Sequence, residues 1–250
     1  MKDIISLMYH DSYIKNKSES GFKLAGADVY KIKPEAFEHQ MQLIDKYIKA
    51  KGLGKDCVRF TFDDGGISFY TIYAPILEKY GYKGYFFITT SLIATDGFMS
   101  ESQIKELDER GHIIGGHSDS HRQRMNTLSY EELKEDWGKC SERLSAIVRH
   151  PITVCSLPCG YESDNMLNAL KDLGYTDIFT SAPNTHPKEK KGVCLLGRFG
   201  IRESMKDDYV LSLVSSPWVR FKIKVRKAVL NTAKKIMGNT YVVLREKIAK

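Results

Sequence analysis

The 250-residue chain has no apolar run approaching the eighteen or so residues that a membrane-spanning helix needs, and no internal repeat or low-complexity segment. It has only five cysteines, Cys57, Cys140, Cys155, Cys159 and Cys194. Their odd number and scattered spacing argue against a disulfide framework. Cys155 and Cys159 have no second Cys/His pair at zinc-finger spacing, so a structural zinc site is not expected either. The apolar stretch after Met1 is too short for a secretory leader and reads as a first strand, which sets a cytoplasmic location as the expectation. Hydrophobic residues make up 42% and charged residues 28%, the proportions of a globular chain that can bury a core.

Acidic residues are nearly missing from one segment. Of 38 Lys/Arg and 31 Asp/Glu in the chain, Pro217–Lys250 holds ten of the former and one of the latter, leaving 28 against 30 elsewhere. The net charge of +7 therefore belongs to the tail, and the body is close to neutral. This divides the chain into a body, 1–216, and a basic amphipathic tail, 217–250. A basic terminal helix meets the requirements of nucleic-acid binding only weakly, and no nucleic-acid partner is expected. The tail begins Pro217-Trp218-Val219-Arg220-Phe221, alternating apolar with basic residues. It suits either packing on the body or peripheral contact with an anionic membrane, at the inner face if the protein is cytoplasmic.

Apolar runs alternate with helical patterns through the body. Strands are expected at Ile4–Tyr9, Val58–Phe62, Tyr85–Ile88, Ile113–Gly115, Ile152–Ser156, Asp177–Thr180 and Val193–Leu196. Helices are expected at Pro34–Lys51, Phe69–Tyr80, Ser100–Arg110, Ser129–Val148 and Ser163–Leu173. Pro34 suits a first helical turn, Ser129 and Glu132 form a capping box, and Gly52, Gly81, Gly111 and Gly174 stand where helices end. Strand–helix alternation with short links predicts an α/β fold. About seven parallel strands favour a distorted, incomplete (β/α) barrel, with a basic C-terminal helical tail. In such folds chemistry gathers at the C-terminal ends of the strands.

Three polar segments follow apolar strands directly. Thr61-Phe62-Asp63-Asp64-Gly65 places two carboxylates together, and two adjacent anions repel unless a cation or a proton lies between them. Gly116-His117-Ser118-Asp119-Ser120-His121 places two imidazoles four residues apart, a spacing that on a helical face lets both bind one metal. One carboxylate and two imidazoles form a facial triad with open positions, which suits zinc, iron, cobalt or nickel, and leaves the second carboxylate free as a base. Ser156-Leu157-Pro158-Cys159-Gly160-Tyr161 is a tight loop whose backbone N–H groups can face the same mouth.

In this order the three segments resemble the polysaccharide deacetylase family (the NodB-homology domain, carbohydrate esterase family 4). The family's Thr-Phe-Asp-Asp-Gly motif is matched at Thr61–Gly65 and its His-Ser/Thr-x-Ser/Thr-His motif at His117–His121. Its Arg-x-Pro-x-Gly motif is matched only at Pro158 and Gly160. Leu7-Met8-Tyr9-His10 is similar to the opening of the subgroup that deacetylates exopolysaccharides. The resemblance covers roughly Ile4 to Arg202. It implies a distorted barrel, Asp63 as general base, one divalent metal (zinc first) on Asp64, His117 and His121, and the Cys159 N–H as oxyanion donor. It also implies that Ser118 and Ser120 brace the histidine loop, and that Pro158, Gly160 and Tyr161 belong to the substrate loop. Two departures stand out. Ser156 occupies the place of an arginine that orients the base, and the Leu-x-His motif that carries the family's general acid is missing around Leu195–Gly200. His10, Arg198 and His186 are candidates to fill these gaps. The activity implied is removal of N-acetyl groups from an amino-sugar-containing polysaccharide, oligosaccharide or lipid-linked glycan. The alternatives are O-acetyl ester cleavage and glycan binding without turnover.

Overall fold

A computed structural model describes residues 4–23 and 25–237; of the basic tail, residues 238–250 lie outside it. The core is one sheet of nine strands: β1 (Ile5–Tyr9), β2 (Val58–Phe62), β3 (Gly84–Ile88), β4 (Ile113–Gly116), β5 (Val154–Ser156), β6 (Asp177–Phe179), β7 (Lys188–Lys190), β8 (Val193–Leu196) and β9 (Phe199–Gly200). Their spatial order is β7-β8-β6-β5-β4-β3-β2-β1-β9. All neighbours are parallel except β7 and β8. The sheet curls into an incomplete barrel, with β7 and β9 as its two open edges. Sequence pattern predicts seven of these strands. β7 and β9 escape it because a three-residue Lys-Glu-Lys strand and a two-residue strand carry no apolar alternation.

Among the described residues, eight α-helical segments join and cover the strands: α1 (Ala25–Asp28), α2 (Pro34–Ala50), α3 (Ala74–Lys79), α4 (Glu101–Glu109), α5 (Tyr130–Val148), α6 (Asp164–Asp172), α7 (Asp207–Ser215) and α8 (Pro217–Met237). α2 begins with Pro34 in its first turn and buries Phe37, Met41, Ile44 and Ile48, one stripe at helical spacing. α5 begins with the expected capping box: Ser129 Oγ accepts from the Glu132 N–H at 3.3 Å, and Glu132 Oε2 accepts from the Ser129 N–H at 2.9 Å. The helix expected over 69–80 is not uniform. Phe69–Tyr73 forms one wide turn, in which the Ala74 N–H reaches back five residues to the Phe69 carbonyl. Pro75, the next residue, has no N–H to continue the ladder.

The strands send alternate side chains to opposite faces of the sheet. Leu7, Phe60, Phe62, Phe86, Ile88, Ile114 and Ile178 pack under the helices in the main core. Phe87, Phe179 and Leu196 form a smaller buried cluster with Tyr85, Val154 and Cys194 packed against it. Two rings of this second cluster, Phe87 and Phe179, lie beneath the guanidinium of Arg198.

Candidate active site

β2 delivers the two carboxylates. The Asp63 N–H continues the ladder to the Tyr9 carbonyl at 3.1 Å, and the chain then turns sharply, with Asp64 at φ 93° and Gly65 at φ 98°. A non-glycine residue in that region is strained, and such strain persists where surrounding contacts fix it. Here the Asp64 carbonyl accepts from the Thr89 N–H at 3.2 Å. Gly66 is required for a different reason. A Cβ there would lie 1.8 Å from Oδ1 of the buried Asp11.

β4 delivers the histidines, but not on a helix. Ser118 (φ 63°) and His121 (φ 49°) both adopt left-handed backbone, so His117–His121 is a loop that folds back on itself. This corrects the helical-face expectation: the imidazoles meet through a left-handed turn, held by the His121 N–H donating to Ser118 Oγ at 2.9 Å. Asp136 on α5 braces the same loop. Its Oδ1 accepts from the Asp119 N–H at 2.9 Å, and its Oδ2 accepts from the Ser120 hydroxyl. Ser118 and Ser120 thus both hold the loop, one from within and one through Asp136.

His117 Nε2 and His121 Nε2 each lie 3.3 Å from Asp64 Oδ1, and the three ligand atoms fall within 4.8 Å of one another. Ligand atoms about 2.0–2.2 Å from a common ion stand roughly 3 to 3.5 Å apart, so the spacing fits a divalent cation. His117 Nδ1 lies 2.8 Å from the Ser156 carbonyl, which can only accept. That places the ring proton on Nδ1 and leaves the Nε2 lone pair for a metal. Burial disfavours charge on both partners, yet it is outweighed. Contacts from both histidines hold the Asp64 carboxyl well below the usual carboxylate range, and Asp63 and Asp64 raise His117 above the ordinary imidazole value.

Asp63 is held by an arginine from elsewhere in the chain. Arg198, between β8 and β9, is fully buried and grips both carboxylate oxygens, Nη1 to Oδ1 at 2.6 Å and Nη2 to Oδ2 at 2.8 Å. Its remaining donors reach Thr61 Oγ1 at 3.2 Å, Ser156 Oγ at 2.8 Å and the Thr180 carbonyl at 3.2 Å. All five guanidinium N–H groups therefore have acceptors. The guanidinium also lies over the Phe87 and Phe179 rings, 5.7 and 6.0 Å from their centroids. Ser156 Oγ donates to Asp63 Oδ1 at 3.0 Å. The arginine missing at Ser156 is thus supplied from Arg198, and a serine hydroxyl stands in the vacated place. Burial would raise the Asp63 carboxyl, but the Arg198 and His117 charges hold it below its ordinary value, so it is ionised at neutral pH.

The third loop follows β5. Pro158 is buried, Cys159 is exposed with left-handed backbone (φ 57°), and Tyr161 is 52% exposed. A Cβ on Gly160 would fall 2.4 Å from Ser181 Oγ, which accounts for the glycine. Although Cys159 is exposed as a residue, partial desolvation by the surrounding atoms raises its thiol, and so does the Asp64 charge. Of the candidate histidines, His10 ends β1 and stacks on Tyr30 with ring centroids 4.6 Å apart. Its Nδ1 is buried without a hydrogen-bond partner among the described residues. Burial holds the His10 imidazole below its ordinary value, against the opposing pull of Asp64 and Asp63. His186 is exposed in the β6–β7 loop, where its backbone N–H and carbonyl bond Asn184. Phe22, from the loop after β1, lies against His121 with centroids 4.9 Å apart.

Sequence reading does not anticipate Asp136, Asp11, Phe22 or Tyr30. An aspartate inside an amphipathic helix or a polar loop carries no spacing signal of its own.

The sequence profile described as polysaccharide deacetylase matches residues 50–178, about half of the chain. YxkH of Bacillus subtilis is 27% identical over 149 residues, covering 60% of this chain and 53% of that protein. Peptidoglycan-N-acetylmuramic acid deacetylase PdaA of the same organism is 29% identical over 153 residues, covering 59% and 56%. The match therefore spans about half the length of these curated relatives. Among solved structures, the Streptococcus pyogenes deacetylase PplD in complex with acetate superposes with a TM-score of 0.71 at 22% identity, over 85% of this chain and 98% of that one, a likeness of fold. With the profile reaching from the end of α2 through the aspartate pair, the histidine loop and the third loop into β6, the chain belongs to the polysaccharide deacetylase family.

Proposed function

We propose that the protein hydrolyses the acetamide of N-acetylated amino sugars in a glycan, releasing acetate and a free amine. What supports the reading above all is Asp63. It is a carboxylate held ionised by a five-bonded arginine, beside three ligand atoms spaced for one divalent ion. The name of PdaA puts that protein's own activity on an acetylated amino sugar, and it is this substrate class that we carry over.

Asp64, His117 and His121 would hold the cation. Zinc is our first choice for this mixed oxygen–nitrogen set, and cobalt, nickel or iron suit it as well. Bound there, the ion supplies Lewis acidity, polarising an acyl oxygen and lowering the pKa of water towards about 7. Asp63 takes the proton from the attacking water. Arg198 and Ser156 fix the carboxylate in one orientation, so that little reorganisation accompanies the transfer. We assign the N–H of Cys159, in the loop after β5, as the donor to the acyl oxygen as charge grows there. A single such donor is typically worth about 3 kcal/mol. As the C–N bond breaks, the amine needs a proton. We assign its return to Asp63, once protonated, and assign His10 as a hydrogen-bond partner to the leaving group or the sugar. Phe22 and Tyr161 offer aromatic faces for a pyranose ring.

The missing Leu-x-His motif also favours a second reading, an O-acetyl ester, because an alkoxide leaves with less help than an amide nitrogen. The test is acetate release from N-acetylglucosamine oligomers and from a simple acetyl ester, with Zn²⁺, Co²⁺ or Ni²⁺ and with chelator. Metal-dependent release from the oligomers is expected. Release from the ester alone would replace the first reading by the second, and release from neither with metal bound would overturn both.

A further inference from the structure

α8 carries seven Lys/Arg and no acidic residue over Pro217–Met237. One of its faces is committed to the body. Val219 and Ile223 pack against the main core, and Arg220 donates to the Leu213 and Val214 carbonyls at the end of α7, at 2.8 and 2.9 Å. The opposite face is apolar and open. Trp218 is 61% exposed, Phe221 54%, Val225 44% and Val229 62%, at steps of three and four residues that align them in one stripe. The Trp218 and Phe221 rings stack with centroids 5.6 Å apart, and Lys222 Nζ lies 5.2 Å from the Trp218 ring. Lys222 and Arg226 border the stripe on one side and Lys224 on the other, all exposed. No helix among the described residues is long and apolar enough to cross a membrane.

We propose that this stripe lies on the surface of an anionic lipid bilayer. A soluble helix that has already buried one face has no reason to present tryptophan, phenylalanine and two valines on the other, unless that face meets something apolar. The cations on both borders select the partner. A protein surface would have to supply a matching acidic rim on each side, whereas an anionic bilayer supplies negative charge all around an inserted stripe. Lysine and arginine stems of this length reach the headgroups while the apolar residues sit deeper.

The helix also touches the rim of the candidate site. Lys227 Nζ donates to the carbonyl of Ser181, two residues past the end of β6, and Ser181 packs against Gly160 in the third loop. Lipid contact at α8 would therefore bring the mouth close to the bilayer surface, towards a lipid-linked or membrane-proximal glycan. That consequence rests on the deacetylase reading; the lipid contact does not.

The test is sedimentation of the full chain with vesicles of phosphatidylcholine alone and of phosphatidylcholine with phosphatidylglycerol. The protein is expected to pellet with the second and stay soluble with the first. Trp218→Ser combined with Phe221→Ser is expected to remain in the supernatant with both. Lys222→Glu combined with Lys224→Glu is expected to weaken partitioning by more than about twenty-fold, since each cation near an anionic surface contributes about fivefold. All four side chains are exposed, so thermal midpoints should match wild type and separate lost binding from misfolding. Absence of pelleting of the wild-type chain with the anionic vesicles, or pelleting of both variants as strong as that of wild type, would overturn the proposal. So would a dimer in solution that dissolves in the Trp218/Phe221 variant without any lipid binding, which would assign the stripe to a second copy of the chain. Vesicle binding needs no turnover, so its failure is distinct from failure of the hydrolase reading.

Discussion

Replacement of Arg198 probes the site at its most connected point. Arg198→Ala strips the buried Asp63 carboxylate of two bonds at 2.6 and 2.8 Å and leaves it the Ser156 hydroxyl at 3.0 Å. It also takes a donor from the Thr180 carbonyl and the guanidinium from above Phe87 and Phe179. Removing one partner of a buried ion pair typically costs about 3–5 kcal/mol. For a chain of this size that corresponds to a fall in thermal midpoint of roughly 6–20 °C. Turnover should fall further than stability alone explains, because a base displaced by about 1 Å can lose about 100-fold in rate. Arg198→Lys keeps the charge but cannot grip both carboxylate oxygens in one plane, and should fall between the two. The assay pairs differential scanning calorimetry with acetate release at saturating metal. An Arg198→Ala protein that melts within about 2 °C of wild type and turns over at the wild-type rate would refute the view that this clamp holds the base.

Two further substitutions test parts that sequence reading does not reach. Asp136→Ala unties the histidine loop without touching a ligand; it should weaken metal affinity by about 10–100-fold, read by competition with a chelating dye, and unchanged affinity would show the loop to be self-supporting. Asp11 is buried, accepts from the Ser20 and Ser68 hydroxyls at 2.5 and 2.9 Å, and is pushed up to about 7, by burial first and by the Asp64 charge. Its folded value lies above the unfolded one near about 4, so the folded state binds the extra proton between those values, and the stability it contributes is lost as pH rises from about 4 through about 7. Asp11→Asn should therefore flatten the fall in unfolding free energy between about pH 5 and pH 8, by about 2–3 kcal/mol in chelator. An unchanged slope in urea titrations would refute the assignment.

The residues proposed as metal ligands and base are legible in the sequence because each group follows an apolar strand directly, and in a parallel sheet that position is the mouth. Asp64, His117 and His121 meet where the strand ends predict, although the path between the histidines is a left-handed loop and not a helix. Arg198 is legible only as a candidate. It lies 135 residues from Asp63 in sequence, and its role depends on β8 lying beyond β5 and β6 in the sheet order, which no local pattern encodes. The Ser156 departure looks like a loss until the fold brings Arg198 to the same carboxylate. The gap at the general acid is different: His186 lies exposed in the β6–β7 loop and His10 is packed against Tyr30 with its Nδ1 buried, and no described residue is clamped into the missing place as Arg198 is into that of the arginine. β7 and β9 were out of reach because strands of three and two residues gain their order from neighbours already in place.

The role of Asp63 is tested by replacing it with Asn and measuring metal content and acetate release on the same sample. With Asp63 as the base, the variant binds one divalent ion per chain as wild type does, showing Asp64, His117 and His121 intact, and releases acetate at a rate lower by several orders of magnitude. Turnover near the wild-type rate with metal bound would contradict that role, and would mean that the proton is taken by another group.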